Sequence, residues 1–385
     1  MTVIDLPMIP TLSRGVKWSF VTRRVARADA LGLRADLTAA KAGDLVLARV
    51  MQIGSHKRVQ LSSGRPSTLY EGDLLMLAAG ARYAADQFEG VAELDATGAD
   101  MLAGGGIVGR MRHRNARISG PTRVMPLGLI CDRDGAVLNL ARYALASPRP
   151  EVMLPAASMP VIAALGASMN AGKTTAVAAL ANGLVGAGHR VAAIKVTGTG
   201  AFGDVNAYHD AGAHVVADFV DAGMATTYRE PLARIEAATR LLLGRAGAAG
   251  ADVAVIEYAD GIFQAETAAL IRRPENRALI DAIIFAAPDA ASVVGGLGVL
   301  ENLGVLPLVV TGLVSRSPLA CSEAETMTGI PVTATQALSD PALATALRRR
   351  ALAARTAHEA EAGGVTAGEA VPADPPLCPG SGLAA

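Results

Sequence analysis

The chain has 385 residues, of which 51% are apolar, 18% are charged and 3% are aromatic. This composition excludes global disorder, and the length predicts two or three domains with a sizeable core. The 35 Lys and Arg residues balance 35 Asp and Glu residues, so the formal charge is zero. A zero net charge argues against a protein that binds nucleic acid through its overall charge.

In chain order, the first part of the sequence predicts a small β-rich domain. Short β-branched runs at 44–50, 58–61 and 73–77 are separated by turns of Gly, Asp and Ser. Short strands at this spacing are typical of a small barrel or sandwich. We therefore predict an N-terminal extension over 1–40 and a β-rich domain over 41–147.

The second part of the sequence predicts an α/β domain with a mostly parallel sheet. Proline residues at 148–159 indicate a linker, because proline fixes φ and resists helix formation. Over 160–350, apolar runs of strand length alternate with Ala-rich helical stretches, the rhythm of βαβ units with helices on both faces. The segment 356–385 is rich in Ala, Gly, Glu and Pro without periodicity, which predicts a disordered tail.

The segment from Val161 to Thr175 predicts a phosphate-binding loop of the Walker-A kind. An apolar strand enters a loop of Gly, Ser and Asn, and a helix of good helix formers leaves it. Backbone N–H groups that converge at a helix N-terminus bind phosphate oxygens. The first Gly of the motif is replaced by Ala167, which is tolerated if φ stays negative there. The predicted nucleotide-binding residues are Gly166, Ser168, Asn170, Ala171, Gly172, Lys173, Thr174 and Thr175.

Side chains near the ends of later strands complete the predicted site. Lys195 and Glu257 each end an apolar run, and ligands of parallel sheets collect beyond the carboxyl ends of strands. We prefer Glu257 to Asp260 in the Walker-B role because Glu257 follows the apolar run directly. Asp204 could bind Mg²⁺ directly or through water, with helix capping as the alternative. The predicted catalytic residues are Lys173, Lys195 and Glu257, and the predicted metal ligands are Thr174, Asp204 and Glu257.

Two basic segments lie in the first part of the chain. One surrounds Trp18, and the other runs from Arg110 to Arg117. Either could bind an anionic substrate or a phosphate, and the alternative is a solvated face neutralised by neighbouring carboxylates. Few aromatic residues are available for base stacking, so we do not expect a nucleic-acid partner.

Residues 161–332 resemble the P-loop NTPases grouped with dethiobiotin synthetase and the molybdopterin-guanine dinucleotide biosynthesis protein B. In those proteins a phosphate loop is followed by a strand ending in Lys, an acidic residue and a strand ending in Glu-Gly. The matching residues here are Gly172-Lys173-Thr174-Thr175, Lys195, Asp204 or Asp210, and Glu257. The segment Ala217-Asp-Phe-Val220 is similar to one in a related P-loop family, of which one branch is linked to D-glutamate N-acetylation. Tyr258-Ala259 replaces the Gly-rich acceptor loop of dethiobiotin synthetase, so carboxylation of a diamine is not implied.

These patterns predict a nucleotide-binding P-loop enzyme that uses ATP, or GTP, with Mg²⁺. We expect a kinase- or ligase-like reaction on an unidentified small molecule. Two alternatives stay open, a nucleotide-switched binding or chaperone protein and an acyltransferase whose loop binds the diphosphate of coenzyme A. The sequence contains neither a signal-peptide pattern nor a long apolar run, so we expect a cytoplasmic protein, as a homo-oligomer, without a membrane partner.

Overall fold

The computed structural model of this protein describes residues 3–5, 15–146 and 159–364. Within these ranges the chain forms a β-rich unit followed by an α/β unit. The predicted linker at 148–159 lies outside the described residues except for Met159. The part of the predicted tail that follows Gly364 lies outside them as well.

The β-rich unit is a nine-stranded sheet with a separate two-stranded ribbon, formed by β5 and β6. Most neighbouring strands of the large sheet are antiparallel, and its main path runs β1-β3-β11-β4-β7-β10-β8. The strands are β1 (Val3–Asp5), β2 (Val16–Trp18), β3 (Gly32–Arg34), β4 (Leu45–Gln52), β5 (Arg58–Gln60), β6 (Pro66–Thr68), β7 (Leu74–Ala79), β8 (Phe88–Val91), β9 (Ala99–Ala103), β10 (Ile107–Arg114) and β11 (Thr122–Cys131).

The central strands β4 and β7 are apolar on both faces because both faces of the sheet are covered. Leu45 and Leu47 belong to one buried cluster, whereas Val46 and Ala48 belong to another. Side chains alternate between the faces of a strand, so a continuous apolar run supplies two cores at once.

The segment predicted as an N-terminal extension over 1–40 is part of this sheet. β2 pairs in parallel with β7, and β3 pairs antiparallel with β11. Both strands contain only three residues, which is too short for a period-two pattern to be visible in the sequence. The predicted domain boundary at residue 41 stays a prediction, and the structure places β2 and β3 in the sheet of the β-rich unit.

The α/β unit contains a six-stranded parallel sheet in the order β14-β13-β15-β12-β16-β17. After β12 the chain adds β13, β14 and β15 on one side of β12, and it then adds β16 and β17 on the other side. Ligands of open α/β sheets usually bind at the carboxyl ends of the strands next to such a change of side. Here those strands are β12 and β15. The elements are β12 (Val161–Gly166), α1 (Lys173–Gly186), β13 (Val191–Lys195), α2 (Phe202–Asp210), β14 (Val215–Asp218), α3 (Leu232–Ala248), β15 (Val253–Glu257), α4 (Ala265–Leu270), α5 (Pro274–Arg277), β16 (Ala282–Ala286), α6 (Ala290–Glu301), β17 (Val309–Thr311), α7 (Pro318–Thr328) and α8 (Pro341–Gly364).

Helices cover both faces of this sheet, as the sequence predicts. Ala163 and Leu165 of β12 pack into one buried cluster, and Ile162 and Ala164 pack into a second one that includes residues of α1 and α8. The last helix, α8, continues to Gly364, and the disorder predicted for residues 356–385 stays a prediction. Ala, Leu, Arg and Glu are strong helix formers, and this propensity sustains the helix where an apolar period is lacking.

The two units share buried surface. Leu102 and Ile107 of the β-rich unit belong to the same apolar cluster as Phe219, Val220 and Met224 of the α/β unit. At the edge of this cluster the backbones touch, since a Cβ built on Gly105 would lie 1.8 Å from the carbonyl oxygen of Gly200. Only glycine permits so close an approach.

A buried ion pair also joins the units. Arg23 Nη2 donates to Asp218 Oδ1 at 2.6 Å and to Asp221 Oδ2 at 2.8 Å. The side chain of Asp218 is 1% exposed. A carboxylate this deeply buried depends on its partner, because an unpaired charge in the interior is strongly destabilising.

We expect Arg23→Met to lower the free energy of unfolding by about 3–5 kcal/mol, the usual cost of leaving a buried charge unpaired. Urea unfolding followed by circular dichroism measures the effect. The double variant Arg23→Met/Asp218→Asn should recover most of the loss, because it removes the buried charge as well. Arg133→Met, at an exposed position without an ion pair, is the control, and an equal loss there would contradict the role of Arg23.

Candidate functional site

The loop between β12 and α1 folds back onto the N-terminus of α1. Asn170 and Gly172 adopt left-handed backbone angles, with φ of 62° and 106°. At Gly172 a side chain is also excluded by contact, since a Cβ there would lie 3.0 Å from Gly312 Cα. Ala167 is not among the residues with positive φ, which satisfies the condition under which alanine can replace the first Gly of the motif.

Unpaired N–H groups line this loop. None of the backbone N–H groups from Ser168 to Gly172 donates a hydrogen bond to a described acceptor. Helix α1 begins at Lys173, its N-cap residue Gly172 provides no side-chain cap, and its first turn contains no acidic residue. Free N–H donors together with the positive end of a helix dipole form an anion site. The residues present therefore fit a phosphate group.

Lys173 lies across the loop. Its side chain is 5% exposed, and Nζ donates to the carbonyl oxygens of Ser168, at 2.8 Å, and Asp260. Its stem passes over Gly166, where a Cβ would lie 2.9 Å from Lys173 Cδ. Burial lowers the pKa of Lys173, with Glu257 and Asp260 opposing that shift. The ammonium group is bonded to carbonyl oxygens and not to a carboxylate, so phosphate oxygens could replace them as acceptors.

Thr174 brings together the two predicted carboxylates. Its Oγ1 lies 3.0 Å from Asp204 Oδ1 and 3.1 Å from Glu257 Oε1, and the hydroxyl donates to one of them at a time. Lys195 forms an ion pair with Asp204. The hydroxyl of Tyr208 donates to the buried carboxylate of Glu257. The structure thus collects all four predicted side chains at the carboxyl ends of β13 and β15.

The charges of this cluster shift one another's pKa values. Burial raises the pKa of Glu257, and the neighbouring Asp204 raises it further. Burial also disfavours ionised Asp204, but its ion pair with Lys195 outweighs burial and lowers its pKa. The pKa of Lys195 is raised, because Asp204 and Glu257 together outweigh the effect of burial. Lys195 thus pairs with Asp204, and both Lys195 and Lys173 oppose the rise in the pKa of Glu257. A bound cation would favour the ionised form of Glu257 further.

The hydroxyl and the two carboxylates suit Mg²⁺, which binds hard oxygen ligands and commonly uses one or two carboxylates with phosphate oxygens. Within the described ranges, no cluster of three or more His, Cys, Asp or Glu side chains is arranged to bind a metal by itself. Thr174, Asp204 and Glu257 would therefore hold Mg²⁺ together with the oxygens of a nucleotide.

We expect Thr174→Val to remove most of the gain in nucleotide affinity that Mg²⁺ provides, a loss of roughly tenfold or more, because valine keeps the shape and lacks the oxygen ligand. Calorimetric titration of ADP with Mg²⁺ and with EDTA measures that gain. Affinity in EDTA should stay unchanged, and Thr345→Val on α8, which does not line the cleft described below, is the control. A normal response to Mg²⁺ in Thr174→Val would contradict the assignment.

A cleft of about 1220 Å³ opens between the two units. The α/β unit contributes Asn170, Gly172, Lys173, Thr174, Thr175, Lys195, Asp204 and Glu257, all predicted from the sequence. Three other predicted residues, Gly166, Ser168 and Ala171, support the loop without lining the cleft. The β-rich unit covers the loop directly, since Asn170 Nδ2 donates to Asp86 Oδ2 at 2.9 Å.

Asp260 also lines the cleft, and the sequence analysis ranked it below Glu257. Its side chain is 9% exposed, and its carboxylate has no hydrogen-bond or ion-pair partner among the described residues. Its backbone has a φ of 62°, which is strained for a residue other than glycine. Burial raises the pKa of Asp260 to about 6, with Lys173 opposing the shift. The Asp-Gly pair after the strand was the sequence signal that could have identified Asp260. Gly261 allows the backbone to contact the phosphate loop, since a Cβ built on Gly261 would lie 2.5 Å from the Ala167 carbonyl oxygen.

The basic segment at 110–117 does not form part of this site. Arg110 pairs with Asp95, Arg112 with Glu93 and His113 with Glu89. Neither Arg110 nor Arg112 lines the cleft, and His113 does not line it either. Arg110, Arg112 and His113 thus fit the alternative of a neutralised face, whereas Arg114 and Arg117 form no ion pair with a described residue.

Three solved structures show partial similarity to this chain. A ParA family ATPase from Chlorobium tepidum TLS is 12% identical, over 52% of this chain and 99% of that one, with a TM-score of 0.33. An LAO/AO transport system kinase is 17% identical, over 53% and 66% of the two chains, with a TM-score of 0.32. The signal recognition particle receptor FtsY from Elizabethkingia anophelis is 14% identical, over 53% and 69%, with a TM-score of 0.35.

No family model matches the chain, and no curated protein matches it. The narrower resemblance to dethiobiotin synthetase and the molybdopterin protein stays a prediction. Across the part of the chain that the structure describes, none of the helices combines the length and the apolar content needed to cross a bilayer. The function is inferred below from the geometry of the chain's own residues.

Proposed function

We propose that this protein is a Mg²⁺-dependent P-loop NTPase that transfers a phosphoryl group to a small molecule bound in the cleft. The observation that carries this proposal is the loop over residues 168–172, whose free N–H groups surround the start of an uncapped helix beside Lys173. A polyanionic tail satisfies these donors, and few other ligands do.

The position of the loop favours transfer over simple binding. The loop forms one wall of a cleft whose other wall belongs to the β-rich unit, and the volume of about 1220 Å³ exceeds the roughly 300–1,000 Å³ of a pocket for one ligand. The volume is larger than one ligand usually needs, which supports a second small molecule beside a nucleotide. A cleft that holds both reactants brings them close together and shields them from water.

Different residues of the chain would have different roles in such a reaction. A bound nucleotide would supply the transferable phosphoryl group. Lys173 and the loop N–H groups would stabilise the negative charge that develops during transfer, and Thr174 with Asp204 and Glu257 would hold Mg²⁺. Lys195 holds Asp204 in place and keeps it ionised.

Asp260 supplies the general base that the sequence could not name. Its free carboxylate lines the cleft next to Lys173, and its pKa of about 6 keeps it largely ionised at neutral pH. As the acceptor oxygen or nitrogen bonds to phosphorus and the bond to the leaving phosphate oxygen breaks, the acceptor proton passes to Asp260. Both the atoms and the charges balance in this step.

A ligand panel tests the proposal. ATP, GTP and acetyl-CoA are each added with and without Mg²⁺, and thermal unfolding is followed. Binding at about 100 times Kd stabilises a protein by about 2.7 kcal/mol, which gives a clear shift in Tm. We expect ATP or GTP with Mg²⁺ to stabilise the protein, and stabilisation by acetyl-CoA alone would overturn the proposal in favour of an acyltransferase.

A second measurement separates an enzyme from a switch. Steady release of ADP or GDP is recorded with the nucleotide alone and with extracts of small metabolites. An increase with small metabolites supports transfer to an acceptor. Slow hydrolysis that only a protein partner accelerates would instead indicate a nucleotide-switched binding protein.

A further inference from the structure

The wall of the cleft that faces the phosphate loop is positively charged. Among the residues of the β-rich unit that line the cleft, Lys57, Arg58 and Arg82 are cations and Asp86 is an anion. Three positive charges and one negative charge leave a net charge of +2 on this wall. His56 adds no charge at neutral pH, since burial and the neighbouring Arg82 lower its pKa to about 4.

Arg82 is a buried cation without a carboxylate partner. The side chain is 8% exposed, and no described carboxylate lies within ion-pair distance of its guanidinium group. Its nitrogens donate to the Leu102 carbonyl oxygen and to Gln87 Oε1, at 2.9 Å, and one lies 3.3 Å from His56 Nε2. Its Nε has no hydrogen-bond partner. Asp86 and Asp260 act on the guanidinium group only from beyond ion-pair distance, where they partly oppose the effect of burial on the pKa of Arg82. A buried charge that no carboxylate contacts directly is costly, so its position beside a cleft favours an anion.

Lys57 and Arg58 extend this wall towards solvent. Both side chains are exposed, and neither forms an ion pair with a described residue. This sets them apart from the basic segment at 110–117, where Arg110 and Arg112 are paired with carboxylates. Arg and Lys that line a concave site bind carboxylate or phosphate groups and attract anions from solution.

The phosphate loop does not account for these cations. It has its own ammonium group in Lys173 and its own N–H donors, and it belongs to the opposite unit. The cleft also exceeds the usual volume of a pocket for one ligand. The cations of the β-rich unit are therefore available to bind a second anion.

We infer that the β-rich unit binds the acceptor molecule through an anionic group, a carboxylate or a phosphate ester, at Arg82, Lys57 and Arg58. This inference rests on the proposed transfer reaction for the identity of the molecule. It assigns the β-rich unit the selection of the acceptor, and it limits the acceptor to small anions.

The test fills the phosphate loop first, so that added anions report on the opposite wall. With the protein saturated by Mg²⁺ and AMPPNP, succinate, inorganic phosphate and the neutral succinamide are titrated by calorimetry. We expect succinate or phosphate to bind and succinamide not to bind. The double variant Lys57→Gln/Arg58→Gln should weaken the anion roughly tenfold or more, as expected for hydrogen bonds between charged groups, with the affinity for AMPPNP unchanged.

Matched controls keep the result specific. Lys41→Gln/Arg133→Gln removes the same two charge types at exposed positions outside the cleft and should change nothing. Binding of succinate and phosphate no better than succinamide would overturn the inference. An equal loss of AMPPNP affinity in Lys57→Gln/Arg58→Gln would overturn it too, because the cations would then belong to the nucleotide site.

The same experiment distinguishes failure of the proposed function. If wild-type protein binds no nucleotide, the proposed reaction fails, and the anions are then titrated against Lys173→Ala, which lacks the ammonium group of the loop. Binding of succinate that Lys57→Gln/Arg58→Gln abolishes would still support an anion site on the β-rich unit. No binding in that background would remove the site as well.

Discussion

Lys173→Met should weaken nucleotide binding by about 100-fold or more and lower turnover by roughly 10²–10³-fold. The methionine retains the stem that packs over Gly166 and deletes only the ammonium group. The loop N–H groups remain, so any residual affinity measures their separate contribution. Calorimetric titration with ADP and Mg²⁺ and the rate of product release measure the two effects.

The fold should tolerate this change. Burial lowers the pKa of Lys173, which means that the folded protein disfavours its charged form. Removing the charge should leave Tm at or above the wild-type value, so a loss of binding cannot be assigned to unfolding. Lys41→Met, at an exposed position, is the control. Wild-type affinity in Lys173→Met would show that the loop is not a phosphate site.

Asp260→Asn should reduce turnover by about 10²–10⁴-fold while nucleotide affinity stays near the wild-type value, because a general base contributes to the reaction and not to binding. Asparagine is suited to the test. It has nearly the shape of aspartate, and it tolerates the left-handed backbone that Asp260 adopts. A variant such as Asp260→Ala would add backbone strain and confuse the result.

The pH dependence follows from the raised pKa of Asp260. A base must be deprotonated to accept a proton, so wild-type turnover should fall as the pH drops through about 6. Asp260→Asn should lose this acid limb. A pH profile of kcat/KM measures it, because that ratio reports the pKa values of the free enzyme. An unchanged limb in the variant would assign the titration to another group.

Stability should change in the opposite direction. The pKa of Asp260 is raised on folding from 3.8 to about 6, so the folded state binds more protons than the unfolded state between these values. Stability therefore falls as the pH rises through this window, and it stays lower above it. Asp260→Asn should be more stable than wild type at pH 7.5, by on the order of 2–3 kcal/mol, and the gain should shrink near pH 4. Urea unfolding at the two pH values measures the difference.

The local sequence was sufficient for the phosphate loop and the strands around it. A strand, a glycine-rich turn and a helix start lie within fifteen residues, from Val161 to Thr175, so their geometry is set by neighbours in the chain. Lys195 and Glu257 could be predicted from the sequence for a related reason. Parallel strands present their carboxyl ends at one edge of a sheet, so residues at strand ends meet there once the strands are recognised.

Only the tertiary structure decided which strands join the β-rich sheet and which residues face the phosphate loop. Strands β2 and β3 are too short to carry a pattern, and their partners β7 and β11 lie far along the chain. Arg82 carries no local signal either, because its role depends on the absence of a neighbouring carboxylate and on the cleft between the units. Phe219 and Met224 share a buried cluster with residues of the β-rich sheet, and contacts between distant segments of this kind leave no periodic trace in the sequence. The local sequence thus determined where the predicted phosphate loop lies, and the packing of the two units determined what stands opposite it.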